Sequence, residues 1–418
     1  MTSATPAGPD SPSETTGGRP ASSRPSISEA LAGHRNSLGL IRLVLASAVI
    51  FSHAFYLIGL PHDPFLDLVR NQESIGGVAV LGFFAISGYL ITKSGMTSDA
   101  LQFIWRRGLR ILPAFWAVLL VTALVVGPVA WLMMGRPLDT YFTLGPLGPA
   151  SYLLGNAGLA INQYGIHDIF VDTPYGEYAG SVFNGSLWTL KYEWGAYLVI
   201  WVLVIVGVLR RAPVAVPVLT AIYLLLEIAS RLIPGGLPLP FFADHYRVSL
   251  TLVFLYGACL AVYSRRIPLD GRLAALAGCL VVGSLVFGGV SILGYPALAY
   301  LILWIAASLP ASLQWIGARN DYSYGVYIYG FLVQQCTAAL GWYQWGYLPW
   351  TLACLVITFG CAWLSWHGVE KWAMRLKDWG PGRGIESWRA AIRTRRDRRR
   401  APGSPSSIAD DGSAHPVG

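Results

Sequence analysis

The sequence predicts an all-α integral membrane protein with about ten transmembrane helices and with both ends of the chain in the cytoplasm. The 418 residues are 54% hydrophobic and only 12% charged, whereas soluble proteins average about 25% charged residues. Apolar segments close to the roughly 20 residues that cross a bilayer recur along the chain. Lysine and arginine are concentrated in alternate connections between these segments, as expected for a multi-pass protein.

The apolar segments follow one another from residue 38 to residue 366. Several contain glycine or proline, which membrane helices tolerate because neighbouring helices satisfy the freed backbone groups. The ten predicted spans are 38–60, 76–92, 111–134, 187–209, 214–233, 248–264, 273–292, 295–309, 322–340 and 349–366.

Basic residues predict the orientation of these spans. With the N-terminus inside, only five of the 30 lysines and arginines fall outside, and cytoplasmic connections normally carry the excess. An even number of spans then returns the basic C-terminal region to the anionic cytoplasmic leaflet. The five outside residues are Arg70, Arg136, Lys191, Arg231 and Arg247.

One membrane domain, residues 36–377, is predicted between two disordered cytoplasmic tails, 1–35 and 378–418. Both tails are rich in small and polar residues, and the first lacks the apolar stretch of a signal peptide. The longest connection, 135–186, is predicted to lie outside, and loops of this length are often functional or disordered.

The composition also argues against several kinds of site. The five cysteines lie in apolar stretches without a Cys-x-x-Cys or Cys/His cluster, which predicts free thiols and neither disulfides nor a metal site. The net charge of +8 is spread over segment ends and the C-terminal region, so no nucleic-acid partner is expected.

The first span carries two ionisable residues, Arg42 and His53. Such residues are costly in a membrane helix and therefore mark a candidate functional site. Eleven residues make about three turns, so both side chains share one helix face, about 16 Å apart along the axis. This arrangement suits a substrate that reaches from one to the other. Taken separately, Arg42 also fits a topological anchor and His53 a hydrogen-bonded core residue.

Arg107 and Arg110 lie three residues apart before the third span. On a helical turn they project together and can hold phosphates through bidentate hydrogen bonds, although they also fit positive-inside anchors. Ser87 lies in a glycine-containing stretch of the second span that favours close helix packing.

Glu193, near the start of the fourth span, is predicted to lie at the depth of His53. A carboxylate there would orient the imidazole and stabilise its charged form; the alternative is an interfacial carboxylate paired with a nearby lysine. Trp188 precedes it on the same segment. In the fifth span, Glu227 and Arg231 are four residues apart and indicate an internal ion pair.

Together these motifs resemble membrane acyltransferase family 3. The resemblance covers about residues 35–377, with the motifs in the expected order and spacing. They are Arg42-x10-His53, Gly-Phe-Phe-x-Ile-Ser-Gly-Tyr-Leu-Ile at 82–91, Arg107-x-x-Arg110-Ile-x-Pro, Ser-Leu-Trp-Thr-Leu-x-x-Glu at 186–193, a tyrosine-rich stretch at 322–329 and Val-Glu-Lys at 369–371. The chain departs from common patterns at Gly330, where many members have histidine, and at Trp372, where many have proline.

The resemblance implies an enzyme of the bacterial inner membrane that moves an acyl group, acetyl above all, from cytoplasmic acyl-CoA to a hydroxyl of a carbohydrate or glycolipid. Acyl-CoA would be a substrate, with no permanently bound cofactor. Direct transfer and an acyl-histidine intermediate both stay open, as does the oligomeric state. The resemblance implies His53 as the catalytic residue and Arg107 and Arg110 as the element that binds the donor phosphates. From the residues themselves we add Glu193 as a second catalytic residue, Arg42 as a donor-binding residue, and Ser87 and Trp188 as supporting residues.

A proton-coupled transporter or flippase of a glycan or lipid is the alternative function. A buried histidine and carboxylate among ten helices would suit proton coupling. The sequence has no visible internal repeat, which disfavours this class. Release of free thiol from acetyl-CoA, dependent on His53, would distinguish the two.

Overall fold

The computed structural model describes residues 24–33, 36–235, 237–387, 389–390 and 392–393. Within this part of the chain the regular elements are helical, apart from one isolated bridge between Ser26 and Pro268. Ten helices of 16 or more residues follow one another. They are α1 (Leu38–Leu57), α2 (Ile75–Thr97), α3 (Ala100–Met133), α4 (Leu190–Ile205), α5 (Ala215–Leu232), α6 (His245–Val262), α7 (Gly271–Phe287), α8 (Val290–Ser308), α9 (Ser323–Ala339) and α10 (Tyr347–Asp378).

Each of these helices overlaps one of the ten predicted spans, which confirms the all-α class. Seven of them are long and apolar enough to cross a membrane. The remaining three, α4, α7 and α9, have 16 or 17 residues and are shorter than the roughly 20 residues a span requires. The number of crossings and the cytoplasmic position of the ends therefore stay predictions.

Helix α3 begins eleven residues before the predicted third span. Asp99 accepts hydrogen bonds from the backbone N–H groups of Leu101 and Gln102, and the Gln102 side chain accepts in return from the Asp99 backbone. This capping box satisfies the free N–H groups of the first turn. The arginines that the sequence placed in a connection therefore lie within the first turns of a helix.

Helices α2 and α6 approach each other closely through two glycines. A Cβ at Gly88 would lie 1.9 Å from the carbonyl oxygen of Phe254, and one at Gly257 would lie 2.1 Å from that of Ala85. Small residues allow such backbone contact between membrane helices. The glycine-containing face predicted for the second span is thus a packing face.

The segment before α1 differs from the disorder predicted for 1–35. Ser26 and Glu29 form a capping box around the short helix Ile27–Ala30. Ile27 and Leu31 are buried, and the backbone N–H of Ile27 donates to the carbonyl of Ile267 between α6 and α7. Apolar residues four apart suffice to dock this turn on the bundle. The rest of the predicted tail lies outside the described residues.

The start of the predicted C-terminal tail also packs against the bundle. A 3-10 turn spans Gly380–Arg383. The backbone N–H of Ile385 donates to Asp99 at 2.9 Å, and the Gln102 amide donates to the carbonyl of Gly382 at 3.2 Å. Arg393 is the last residue that the structure describes, and most of the arginine-rich run follows it.

The long connection between α3 and α4 is folded over one end of the bundle. Two hydrogen bonds of 2.5 and 2.6 Å join Arg136 to Asp168, and they lower the pKa of Asp168. The side-chain amide of Gln335 on α9 donates to the carbonyl of Val182 at 2.6 Å. The connection contains the short helices Leu138–Tyr141, Pro149–Asn156 and Gly176–Ala179.

Candidate active site

Arg42 and His53 lie on one uninterrupted helix, α1, and each lines a different cavity. We call the cavity lined by Arg42, Arg110 and Glu193 the arginine cavity, and the cavity lined by His53 the His53 cavity. The first encloses about 40 Å³ and the second about 370 Å³. Val80 and Tyr327 line both, so the two cavities meet at these side chains.

Asp321 joins two of the predicted donor-binding arginines. It lies just before α9 and forms ion pairs with both Arg42 and Arg110, the latter at 2.5 Å. Its other oxygen accepts from the backbone and hydroxyl of Ser323. The carboxylate is therefore fully engaged, and it fixes α1 and α3 to the start of α9.

Arg110 has a second carboxylate partner in Glu370. Glu370 is buried, and its side chain lies 3.5 Å from Arg110 while accepting a hydrogen bond from Ser365. It closes a π-helical turn, Trp366–Glu370, within α10; such turns often occur at functional sites. The guanidinium also lies 5.8 Å from the ring centres of Tyr324 and Trp366, within reach of cation–π attraction.

Arg107 is far less saturated than Arg110. Its terminal nitrogen is 3.5 Å from the Ser94 hydroxyl, and its Nε is buried without a hydrogen-bond partner among the described residues. Because a guanidinium offers five N–H donors, Arg107 retains capacity to bind an anion.

The structure does not bring Glu193 to His53, contrary to the predicted pairing. Glu193 instead accepts hydrogen bonds from Ser87 at 3.1 Å and from Tyr197 at 2.5 Å. Ser52, next to His53, contacts α2 at Gly76, and Ser87 lies eleven residues further along α2. Those residues correspond to about 16 Å, so Glu193 lies at the depth of Arg42.

Ser87 and Trp188, the predicted supporting residues, divide between the two cavities. Ser87 donates to Glu193 at the arginine cavity, whereas Trp188 lines the His53 cavity. Tyr327 of α9 holds the stretch around Trp188 in place: its hydroxyl lies 2.5 Å from that of Thr189 and 2.9 Å from the carbonyl of Ser186.

His53 is half-buried and faces a mostly polar cavity. Phe331 of α9 meets its ring edge-on at a centroid distance of 5.2 Å. No hydrogen bond fixes the imidazole among the described residues, so both ring nitrogens retain the capacity to exchange a proton with a bound molecule.

The predicted ion pair of Glu227 and Arg231 is present. Glu227 is fully buried and accepts from Arg231 at 2.8 Å. Its second oxygen lies 3.7 Å from His245 Nδ1, and His245 lines the His53 cavity.

Sequence reasoning missed Asp321 and treated Glu370 only as part of a motif. The number of arginines relative to carboxylates could have indicated both residues as partners. Three arginines predicted near one membrane face require anionic partners when they are partly buried, and few carboxylates lie near the ends of the spans on that face. Asp321 and Glu370 are among them.

An all-helical bundle with membrane-spanning helices and this motif set defines a membrane acyltransferase. The chain belongs to membrane acyltransferase family 3: the family model described as an acyltransferase domain matches residues 35–367. This assignment favours an enzyme over the transporter alternative.

Two relatives match nearly their whole length. An O-acetyl transferase of Shigella phage Sf6 is 30% identical over 344 residues, which cover 80% of this chain and 95% of the relative. Nodulation protein 10 of Rhizobium leguminosarum bv. viciae is 31% identical over 378 residues, covering 82% and 95%. No solved structure matches the chain.

Proposed function

We propose that this protein transfers an acetyl group from cytoplasmic acetyl-CoA to a hydroxyl of a carbohydrate or glycolipid acceptor, in the bacterial inner membrane. The observation that carries the proposal is the placement of Arg42 and His53. They lie on one unbroken helix, about 16 Å apart, and line two cavities that meet at Val80 and Tyr327. Similarity to an O-acetyl transferase supports acetyl as the acyl group.

The donor's phosphates would bind at the basic end of the site. Arg107 is the first contact because its guanidinium is the least saturated. Arg42 and Arg110 would join it by exchanging part of their bonding to Asp321 for phosphate oxygens. The pantetheine arm then extends along α1, past Tyr327, and carries the thioester toward His53.

His53 would act as the general base. As the acceptor oxygen attacks the thioester carbonyl, its proton moves to the imidazole. The new C–O bond forms, the C–S bond breaks, and the imidazolium returns the proton to the departing thiolate. Glu193 would serve the donor end of the site rather than the imidazole, because its hydrogen bonds run to Ser87 and Tyr197. An acyl-histidine intermediate is the variant of this route.

The test is thiol release by the purified protein in lipid nanodiscs. Wild-type protein supplied with acetyl-CoA should release CoA thiol, and His53→Ala should abolish the release. His62→Ala is a matched control, because His62 is an exposed histidine paired only with Asp67. A wild-type protein that binds acetyl-CoA without releasing thiol, with or without added glycosides, would contradict the proposal.

A further inference from the structure

The wall of the His53 cavity opposite α1 carries a carboxylate that the proposed mechanism does not use. Glu73 lies just before α2 and lines the cavity. One oxygen accepts a hydrogen bond from the Tyr295 hydroxyl of α8 at 3.2 Å. The other lies over Gly77, where a Cβ would come within 2.4 Å of it. A glycine therefore makes room for this carboxylate at the cavity edge.

Aromatic side chains form a second part of the same wall. Trp188 lines the cavity, and its ring centre lies 4.7 Å from that of Tyr246. His245, the neighbouring residue, also faces the cavity and packs against Tyr246 at 5.9 Å. Trp188 is only half-buried, so part of the indole surface is open to a ligand.

The other buried carboxylates near this wall have their own partners, and Asp63 accepts three hydrogen bonds. Glu227 is neutralised by Arg231 at 2.8 Å and lies 3.7 Å from His245. Glu73 has a hydroxyl as its hydrogen-bond partner but no ion pair among the described residues. An ionised carboxylate accepts hydrogen bonds and cannot donate them, so this wall selects hydroxyl donors and disfavours anions.

We propose that Glu73, His245 and Trp188 form the recognition site for the acceptor, and that this acceptor presents a neutral, hydroxyl-rich sugar ring. The ring's apolar face packs on Trp188, one or two hydroxyls donate to Glu73, and the reacting hydroxyl points to His53. The cavity of about 370 Å³ falls within the range of small-molecule sites, about 300–1,000 Å³. This inference rests on the proposed function.

The test measures thiol release from acetyl-CoA with a panel of methyl glycosides: methyl glucoside, methyl rhamnoside and methyl N-acetylglucosaminide as neutral probes, and methyl glucuronide as the anionic probe. Neutral glycosides should stimulate the wild type more than the glucuronide does. Glu73→Gln should raise the KM for the neutral glycosides by about tenfold or more, because a hydrogen bond to a charged group contributes about 1.5–3 kcal/mol. The KM for acetyl-CoA should stay within about twofold.

Two substitutions of Trp188, to phenylalanine and to alanine, provide an independent test in the same assay. Phenylalanine keeps an aromatic face and should retain most of the affinity for the glycosides, whereas alanine should lose it. Glu177→Gln, which alters an exposed carboxylate of the long connection, is the matched control and should leave every parameter unchanged.

Two results would overturn the inference while leaving the proposed function intact. One is thiol release by the wild type that no neutral glycoside stimulates. The other is an unchanged glycoside KM in both Glu73→Gln and Trp188→Ala. Absence of thiol release by the wild type under all conditions is a different outcome, since it would refute the transfer reaction and this inference with it.

Discussion

The arginine cavity and the His53 cavity share α1 as a wall, but ion pairs surround the first cavity, whereas uncharged hydrogen-bonding groups predominate on the wall of the second. Around the first, Asp321 binds two arginines, and Glu370 supports one of them from α10. The second is about nine times larger and has few charges and many hydrogen-bonding groups on its wall. A small site with arginine side chains suits the phosphates of a polyanion, and a larger polar site suits a neutral acceptor.

This difference between the two cavities also predicts that binding of the donor affects the acceptor side. A guanidinium offers five N–H donors, so Arg42 and Arg110 can bind a phosphate while each keeps a contact with Asp321. A movement of Arg42 would displace α1 as far as His53, because Leu43–Ser52 contains no proline or glycine at which the helix could bend. Donor binding is therefore expected to adjust the position of His53.

The division into a donor cavity and an acceptor cavity requires that the two cavities face opposite sides of the membrane. A reporter fused at Thr394 should be active in the cytoplasm, and one inserted within 160–175 should be active outside, because the basic residues divide so unevenly. This result is all-or-none. Matching reporter signals from both positions would remove the division into donor and acceptor sides.

The largest kinetic effect is expected at His53. A general base contributes roughly 10²–10⁴-fold to rate, so His53→Ala should lose at least 100-fold in kcat while donor binding is retained. Arg42→Ala should instead raise the KM for acetyl-CoA. Steady-state kinetics on both variants check the split. Near-wild-type turnover by His53→Gln would exclude His53 as the base.

Sequence reasoning succeeded where the physics is local. Ten apolar stretches predicted the positions of ten helices, and helical spacing placed Arg42 and His53 on one helix. It failed for Glu193, because depth in the membrane was estimated from distance to the predicted span end. The position of the carboxylate is fixed by Ser87 and Tyr197, and no pattern along the chain connects Glu193 to Ser87, which lies 106 residues earlier.

The other misses arise from contacts between residues distant in sequence. Asp321 is 279 residues from Arg42, and no pattern along the chain connects them. Glu73 looks like an ordinary polar residue of a short connection until α8 brings Tyr295 to it. Fold class and helix positions were thus predictable, whereas the partners of buried charges required the tertiary arrangement.

Removing the shared carboxylate should have the next largest effect. Asp321→Asn leaves Arg42 and Arg110 without their common counter-charge, and loss of one partner of a buried pair costs about 3–5 kcal/mol. Asp321 retains 18% exposure, so the lower end of that range is expected. The measurement is the thermal unfolding midpoint in nanodiscs. Asp378→Asn is the control, because Asp378 pairs with Arg106 at an exposed position.

Substitutions of Arg107 test the assignment of the donor site. Arg107→Ala should raise the KM for acetyl-CoA by about 10-fold or more, since a charge-assisted hydrogen bond contributes about 1.5–3 kcal/mol. Arg107→Lys should recover only part of this, because an ammonium cannot form the bidentate contact. Arg106→Ala, one residue away but paired with the exposed Asp378, should leave the KM unchanged. Equal effects in both alanine variants would indicate a general loss of surface charge.

The smallest predicted effect is a pH dependence on the acceptor side. Burial raises the pKa of Glu73 to about 7, so the carboxyl is largely protonated below neutral pH and ionised above it. The ionised form accepts stronger hydrogen bonds from hydroxyl groups. The KM for a neutral methyl glycoside should therefore fall by roughly fivefold as pH rises from 6 to 8.

Other ionisable groups surround the cavity, and the Glu73→Gln variant separates their effects from that of Glu73. His53 and His245 face the same space. Tyr295, Arg231 and Glu227 act electrostatically on the carboxyl. All of these remain in Glu73→Gln, whose amide does not ionise. That variant should show a glycoside KM that is flat between pH 6 and 8, because its amide carries no titrating proton. If the KM of Glu73→Gln kept the wild-type pH profile, the titrating group on the acceptor side would be one of the histidines and the role assigned to Glu73 would fail.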